Sequence, residues 1–595
     1  MFLAATSNAS AKTLYLDTGG SALWEADNAN KFAAWHWQGS GQGQWTSWMT
    51  RVSGNIWQTT ISDASDRVII CRFNTSMSSP TWDDGNIWNK TADLTIPSDK
   101  DMYSISDWGQ GTNVCPGEWM KYNAGDDTPG GGGDPVTPGD FETAVPSQCT
   151  DVMLQAFYWN SDVDNSYGTT KWTVLLSQAS EISQNFQLVW LAPSCNSKTS
   201  SMGYLPTKYY YQRNSMGRED DLRSLISALH DGGTRVLADV VINHAGNKSN
   251  WIDFFDQDFG TYGYFKPNSK WITKDDEAST AEGGKYASKL GPNYDDGQNG
   301  TDANFAGARD FDHKNDSVQK MCRAYLKFLK YTMNYDGFRF DVAGGYHVSH
   351  INDYVTNAKP YFSVMEYWKG DANELKTRID EAGKNNLAFD FAAKYNVFRD
   401  GIFYKSYDKC KNGGLRGKGY SKYAVTFIDN HDTFNRSDND DVANKRDGSS
   451  INDKSLMMRC NAYLLSMPGV PCVFYPHWVK YKSDIKAMIN ARRMAGIHSE
   501  SSVQEESGSG YYRATVQGKY GSVKLMLGTA ANDAAPAGYT QAIKGDDYAM
   551  YYTGTGPQGI ENVQTEQKGE KFIENGQLYI RCGEHVFDAQ GRRIY

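Results

Sequence analysis

Two periodicities divide the chain. Before residue 124, short stretches alternate apolar and polar positions, as in Thr13-Leu14-Tyr15-Leu16 and Val68-Ile69-Ile70-Cys71-Arg72-Phe73, with Gly, Asn, Asp and Ser between them. A period of two marks half-buried strands, and no helical period interrupts it, so residues 1–123 are expected to form a small β-sandwich. From about residue 150 the pattern changes. Apolar runs of strand length at 152–157, 188–192, 236–242, 337–341, 362–366, 388–391, 425–429 and 472–475 alternate with helical patterns, for example at 172–183, 219–230, 318–333, 455–465 and 485–495. Eight strand–helix repeats predict a closed (β/α)8 TIM barrel over 142–497. An open doubly wound sheet is the alternative, but no G-x-G-x-x-G fingerprint supports it.

Residues 124–141, with four consecutive glycines (Gly130 to Gly133) among Pro, Asp and Thr, read as a linker and a domain boundary. Within the barrel, the stretch 245–315 between the third strand and its helix is far longer than the roughly 12–15 residues of an ordinary loop. It is expected to form a subdomain inserted after strand three. Alternation returns after 497, predicting a C-terminal all-β domain over 498–557. The tail 558–595 carries Asn575-Gly576 between alternating segments, a hairpin signal. It also has a vague likeness to the terminal sorting segments of some exported bacterial proteins.

Composition narrows the function classes. The 595 residues carry 60 basic and 70 acidic side chains, a net charge of −10, which argues against a nucleic-acid partner. No apolar run reaches 18 residues, so no membrane span is expected. The first residues, Met1-Phe2-Leu3-Ala4-Ala5-Thr6, make no complete signal peptide. Nine scattered cysteines form no C-x-x-C pair, and those in apolar settings, such as Cys472, read as buried thiols. Ten of the 17 tryptophans fall in the first 123 residues, an asymmetry that needs a reason.

In a barrel of this kind chemistry gathers at the carboxyl ends of the strands. Those ends read Asp239-Val240-Val241-Ile242-Asn243-His244, Gly337-Phe338-Arg339-Phe340-Asp341, Val364-Met365-Glu366-Tyr367-Trp368 and Phe427-Ile428-Asp429-Asn430-His431-Asp432. Asp341, Glu366 and Asp432 would therefore converge at one mouth. Two carboxyl groups in different environments are what glycosidic cleavage requires. Structural ion pairs at strand ends are the competing explanation for any one of them.

In this order and spacing, the four segments DVVINH, GFRFDVAGGY, EYW and FIDNHD resemble the α-amylase family of glycoside hydrolases. Met202-Gly203-Tyr204-Leu205-Pro206 and Asp310-Phe311-Asp312-His313 are similar to plant-type and related bacterial members, and the resemblance spans about 150 to 500. It implies a retaining, endo-acting α-amylase that cleaves internal α-1,4-glucosidic bonds of starch and related glucans. Asp341 would be the nucleophile, Glu366 the general acid/base, and Asp432 a carboxylate that binds sugar hydroxyls and distorts the ring. Arg339 faces the same way as Asp341, His244 and His431 would bind hydroxyls of the cleaved sugar, and Tyr204 would stack beneath it.

The same resemblance implies calcium, held by Asn243, Asp310 and the Gly345 carbonyl. A further family carboxylate falls on Gly300, with Asp302 a substitute. A turn-capping amide is the alternative for Asn243. Gly344 stands where many members have Lys, which bears on product pattern. The segment around Phe73-Asn74 and Trp82–Trp88 looks like starch-binding modules attached to amylases, and Trp35, Trp37 and Trp88 are singled out as stacking residues, core burial being the alternative for each. A transglycosylase, a pullulan- or maltodextrin-preferring relative, and a catalytically silent starch-binding protein are the competing functions. The expected partners are starch and α-glucan oligosaccharides, the expected state a monomer, and the expected location outside the cell or at its surface.

Overall fold

The computed structural model describes residues 11–18, 24, 31–53, 56–82, 85–105, 114–120, 122, 139–198, 201–298, 306–434, 449–556, 570–574, 577–582 and 585–588. Eight parallel strands close into a barrel: Met153–Gln155, Leu188–Trp190, Arg235–Val240, Gly337–Phe340, Phe362–Met365, Leu387–Phe389, Ala424–Phe427 and Val470–Phe474, numbered one to eight below. Nearly every strand residue is buried, as expected where helices cover the outer face and side chains fill the interior. The helices follow from their stripes. In Trp172–Asn185 the buried positions are Trp172, Leu175, Ala179 and Ile182, and in Glu219–Asp231 they are Leu222, Leu225, Ile226 and Leu229, the i, i+3, i+7 spacing of one face. Three acidic residues, Glu219 to Asp221, open the second helix, where the helix dipole favours negative charge.

The register matters for the site. Phe340 pairs with Val240 on strand three and Met365 on strand five. The ladder continues one step further, Asp341 N–H donating to Val240 O (3.0 Å) and Glu366 N–H to Phe340 O (3.0 Å). Residues 341 and 366 are thereby set side by side on adjacent strand ends. Gly337 permits the close approach of strands four and five, since an added Cβ would run into the Phe362 carbonyl.

The apolar pattern at 318–333 gives two elements: an α-helix, Asp316–Lys327, and a wider π-type turn, Phe328–Thr332. That turn buries Lys330, whose ammonium reaches Asp140 (2.8 Å) and the carbonyls of Ala358 and Lys359. The insertion after strand three is built of short strands and 3-10 turns around its own small core of Ile272, Ala278, Tyr286 and Leu290. His244–Ala245 pairs with Arg309–Asp310 where it leaves and rejoins the barrel.

The N-terminal residues form a sandwich of two sheets. One has the order Gly117–Met120, Met102–Ile105, Ala11–Asp17, Ile56–Ser62, Thr50–Ser53, and the other is centred on Arg67–Phe73 and Lys31–Trp37. Leu14, Leu16, Phe32, Ala34, Val68, Ile70 and Ile105 pack between them. C-terminal to the barrel lies a five-stranded antiparallel sheet over 502–552. Its Tyr512, Val516, Leu525 and Met550 join the barrel's hydrophobic core. The expected hairpin of the tail is extended to three antiparallel strands, Glu570–Glu574, Gln577–Cys582 and His585–Asp588. No helix of the described residues is long and apolar enough to cross a membrane. Eight cysteines among them are buried and free.

Candidate active site

The mouth of the barrel is organised around one guanidinium. Arg339, on strand four, is fully buried. Its Nη1 donates to Asp239 Oδ1 (2.7 Å) and to Asp341 Oδ1 (2.7 Å), and its Nη2 lies 2.8 Å from Glu366 Oε2. The Trp190 ring packs against it, the guanidinium carbon lying 4.9 Å from the ring centroid. The carboxylates arrive from strands three, four and five by the register described above. Asp341 and Glu366 are 4% and 5% exposed. Burial pushes the Glu366 carboxyl up to about 8, with Arg339 opposing and Asp341 and Asp432 reinforcing the shift. Its Oε2 also accepts from Val342 N–H (3.0 Å), while Oε1 is buried with no hydrogen-bond partner in the protein. Val342 holds this amide in place with φ at +42°, an uncommon backbone for a β-branched residue.

Asp239 is the site residue that the sequence reading passed over. Besides Arg339, its Oδ2 accepts from Tyr204 OH (2.8 Å) and Trp190 Nε1 (3.0 Å), and burial pushes its carboxyl up to about 7. The signal was present: Asp239 is the one ionisable residue in the otherwise apolar run 236–242, and a buried charge needs partners. Gln155, the last residue of strand one, and Trp159, just beyond it, were likewise missed. Gln155 Nε2 lies 3.0 Å from His431 Nδ1, and the Trp159 ring stacks on those of Tyr204 and His431.

The remaining predicted residues are brought to the same mouth. Asp432 Oδ2 lies 3.1 Å from His431 Nε2, an arrangement in which the imidazole accepts from Gln155 and donates to Asp432. The Tyr204 and His431 rings stack with centroids 5.1 Å apart. His244 Nε2 donates to Tyr204 O (2.9 Å), which leaves Nδ1 as the acceptor facing Asn243 Nδ2 at 3.3 Å.

Asn243 Nδ2 also lies 3.5 Å from Asp310 Oδ1, and Asp310 forms with Asp276 and Glu277 a group whose carboxylate oxygens lie within 4.8 Å of one another. An amide and carboxylates are the oxygen donors that a hard divalent cation takes. Asp276 is the poor fit. It is fully engaged by the buried Arg309 guanidinium and by the N–H groups of Ala278 and Asp310. Gly345 lies in the turn after strand four, its N–H donating to Val342 O (2.9 Å), and an added Cβ at Gly297 would lie 2.9 Å from its carbonyl oxygen. Asp302 lies outside the described residues.

In the sandwich, Trp35 forms an aromatic cluster with Trp45 and Trp82, ring centroids 4.7 to 5.6 Å apart, and Trp82 is 44% exposed. Trp37 lies beneath the Arg67 guanidinium and Trp88 beneath that of Arg72 (5.9 and 4.6 Å to the ring centroids). The segment Trp82–Trp88 and Trp35 were marked in the sequence, but the meeting of Trp35 and Trp82 with Trp45 depends on the sheet.

Comparison with known proteins bears on the fold and the family. Residues 183–382 match the family described as Alpha amylase, catalytic domain. The Arabidopsis thaliana protein named Probable alpha-amylase 2 is 30% identical over 426 residues, covering 68% of this chain and 94% of that protein. Alpha-amylase 3, chloroplastic, of the same plant is 27% identical over 423 residues, 68% of this chain, which spans only 44% of that longer protein. A crystal structure of an Anoxybacillus alpha-amylase shares the fold at a TM-score of 0.50 and 13% identity, covering 69% of this chain and 99% of that one. A closed barrel with a buried carboxyl cluster at its mouth is the frame of a glycoside hydrolase, and the chain belongs to the α-amylase family of those enzymes.

Removing the charge of Asp239 should loosen Arg339 without removing a reacting group. Asp239→Asn is expected to lower kcat on soluble starch by about 10–100-fold, the usual scale for a residue supporting the reacting groups. Steady-state kinetics check this, and a kcat within twofold of the parent would mean that Arg339 is held adequately without it.

Proposed function

We propose that the protein is a retaining, endo-acting α-amylase that hydrolyses internal α-1,4-glucosidic bonds of starch and related α-glucans. The observation that carries this reading is the single guanidinium shared by Asp341 and Glu366. One planar group holds both carboxyls only if they lie close, which favours the spacing of about 5–5.5 Å used for a covalent glycosyl-enzyme over the wider one that leaves room for water.

Asp341, held at Oδ1 by Arg339, attacks the anomeric carbon. Glu366 protonates the departing glycosidic oxygen. Because its Oε2 already accepts from Val342 N–H and faces Arg339, its proton resides on the unpartnered Oε1. After the leaving sugar departs, the same carboxylate takes a proton from water and the covalent intermediate is released with retention. Asp432, His431 and His244 bind hydroxyls of the distorted ring, and Tyr204 with Trp159 provides the aromatic floor. These placements favour hydrolysis over a catalytically silent barrel, because all three carboxyl groups are present and two are poised differently.

Calcium fits as a structural ion. Asn243 and Asp310, with Glu277 and the Gly345 carbonyl, are the residues that would hold it, and when bound it would tie the insertion to the barrel. The N-terminal sandwich is read as a starch-binding module whose Trp35, Trp45 and Trp82 rings stack on glucose faces.

Five outcomes test the reading. Glu366→Gln is expected to abolish release of reducing sugar from starch. In the parent, kcat/KM should fall as pH rises through about 8, because the acid form of Glu366 is present only below that value. Products of inverted anomeric configuration, read by NMR at early times, would sink the assignment of Asp341. Chelation is expected to lower the melting temperature by several degrees, restored by added calcium; an unmoved transition would remove calcium from the account. Finally, Trp35→Ala with Trp82→Ala should weaken retention on granular starch by about tenfold or more, and unchanged retention would show the sandwich to be misread.

A further inference from the structure

The loop that carries Tyr204 is held at its other end by the N-terminal sandwich. After barrel strand two the chain folds back through an antiparallel pair, Asn196–Ser197 with Pro206–Lys208, before entering the helix Glu219–Asp231. At its tip, Tyr204 is fixed through its hydroxyl on Asp239 and its carbonyl on His244. At its base, Arg213 Nη1 donates to Asp17 Oδ2 (2.9 Å) and to Ser104 Oγ (2.9 Å). Ser104 Oγ in turn donates to Asp17 Oδ2 (2.7 Å), and Tyr211 OH lies 3.4 Å from Asp17 Oδ1. A second ion pair, Arg218 with Glu118, lies beside them.

Asp17 and Ser104 are neighbours in the register of the sandwich, and both are buried, at 5% and 0% exposed. A carboxylate so buried is costly unless paired, and a cation paired with it, Arg213, comes from the barrel loop. Base and tip are connected by short links: Asn196 N–H to Tyr211 O (2.7 Å), Thr207 Oγ1 to Asn196 Oδ1 (2.7 Å) and Lys198 N–H to Leu205 O (2.9 Å). Nothing in this chain of contacts involves the aromatic cluster on the other sheet of the sandwich.

We infer that the sandwich, through Asp17 and Ser104 on Arg213, is a positioning element of the active site that sets the loop bearing Tyr204, in addition to any role in holding polymer. The inference rests on the proposed hydrolase reading only for its kinetic consequence. Arg213 and Asp17 touch no substrate and act through Tyr204.

The test uses the full-length protein with Asp17→Asn, Arg213→Gln and the double substitution, read by hydrogen exchange across 196–213 and by kinetics on a short soluble maltodextrin. Each single substitution is expected to speed exchange in that loop and to lower kcat by about tenfold, within the range that a small misplacement of a substrate-positioning group produces. KM should change less. The double substitution should add little to either single one, because both remove the same contact. Ser104→Ala keeps both charges and guards against misfolding; it should move exchange in the same direction by a smaller factor. Unchanged exchange, additive effects, or faster exchange with an unchanged kcat would each overturn the inference. Exchange needs no turnover, so a parent that leaves the maltodextrin intact while its variants lose loop protection would defeat the reaction assigned above and leave the docking intact.

Discussion

One positive charge without solvent governs the mouth of this barrel. The Arg339 guanidinium faces Asp239, Asp341 and Glu366, so one cation is set against three acidic groups in a dry site. Full ionisation of all three would leave uncompensated buried charge, which is costly. The structure resolves this by raising Glu366 and Asp239, with burial as the leading cause in both. Asp341 and Glu366 thus depend on the same residue, and the strand register that sets 341 beside 366 makes the sharing possible.

How far this could be read from the sequence varies with the physical origin of each feature. The eight barrel strands were legible because burial on both faces leaves a continuous apolar run. Their ends were placed too far along, since Val241 and Ile242 are as buried as the strand but continue it only as loop. Asp341, Glu366 and Asp432 were legible as carboxylates at strand ends, which the structure does bring to one mouth. Asp239 was legible only as a charge in an apolar run that must find partners, because nothing local distinguishes a hub from an isolated ion-pair partner. Arg213 was out of reach altogether: its partners Asp17 and Ser104 lie 196 and 109 residues away in another sheet, and no periodicity encodes a contact between modules.

The insertion and the sandwich meet the barrel in different ways. The insertion is joined by a strand pair, His244–Ala245 with Arg309–Asp310, so that a candidate substrate-binding histidine and a candidate metal ligand are cross-strand partners. Anything that stabilises the insertion thereby also restrains His244. Arg309 contributes from within the chain, its buried guanidinium lying on Asp276 and against the Trp251 ring. Part of the acidic character of that corner is balanced by the protein itself.

The buried thiols carry a last consequence. Cys71 and Cys115 belong to the sandwich, whereas Cys149, Cys195, Cys322, Cys410, Cys460 and Cys472 belong to the barrel. Burial raises the thiol pKa of Cys71 and of the six barrel cysteines, to about 12 for Cys71 and Cys322. A thiol that is neither exposed nor ionised is inert to alkylating and disulfide reagents until its surroundings open. Each module therefore contains its own chemical clock for unfolding. Mass-resolved labelling could time the opening of the sandwich separately from that of the barrel, with no probe introduced.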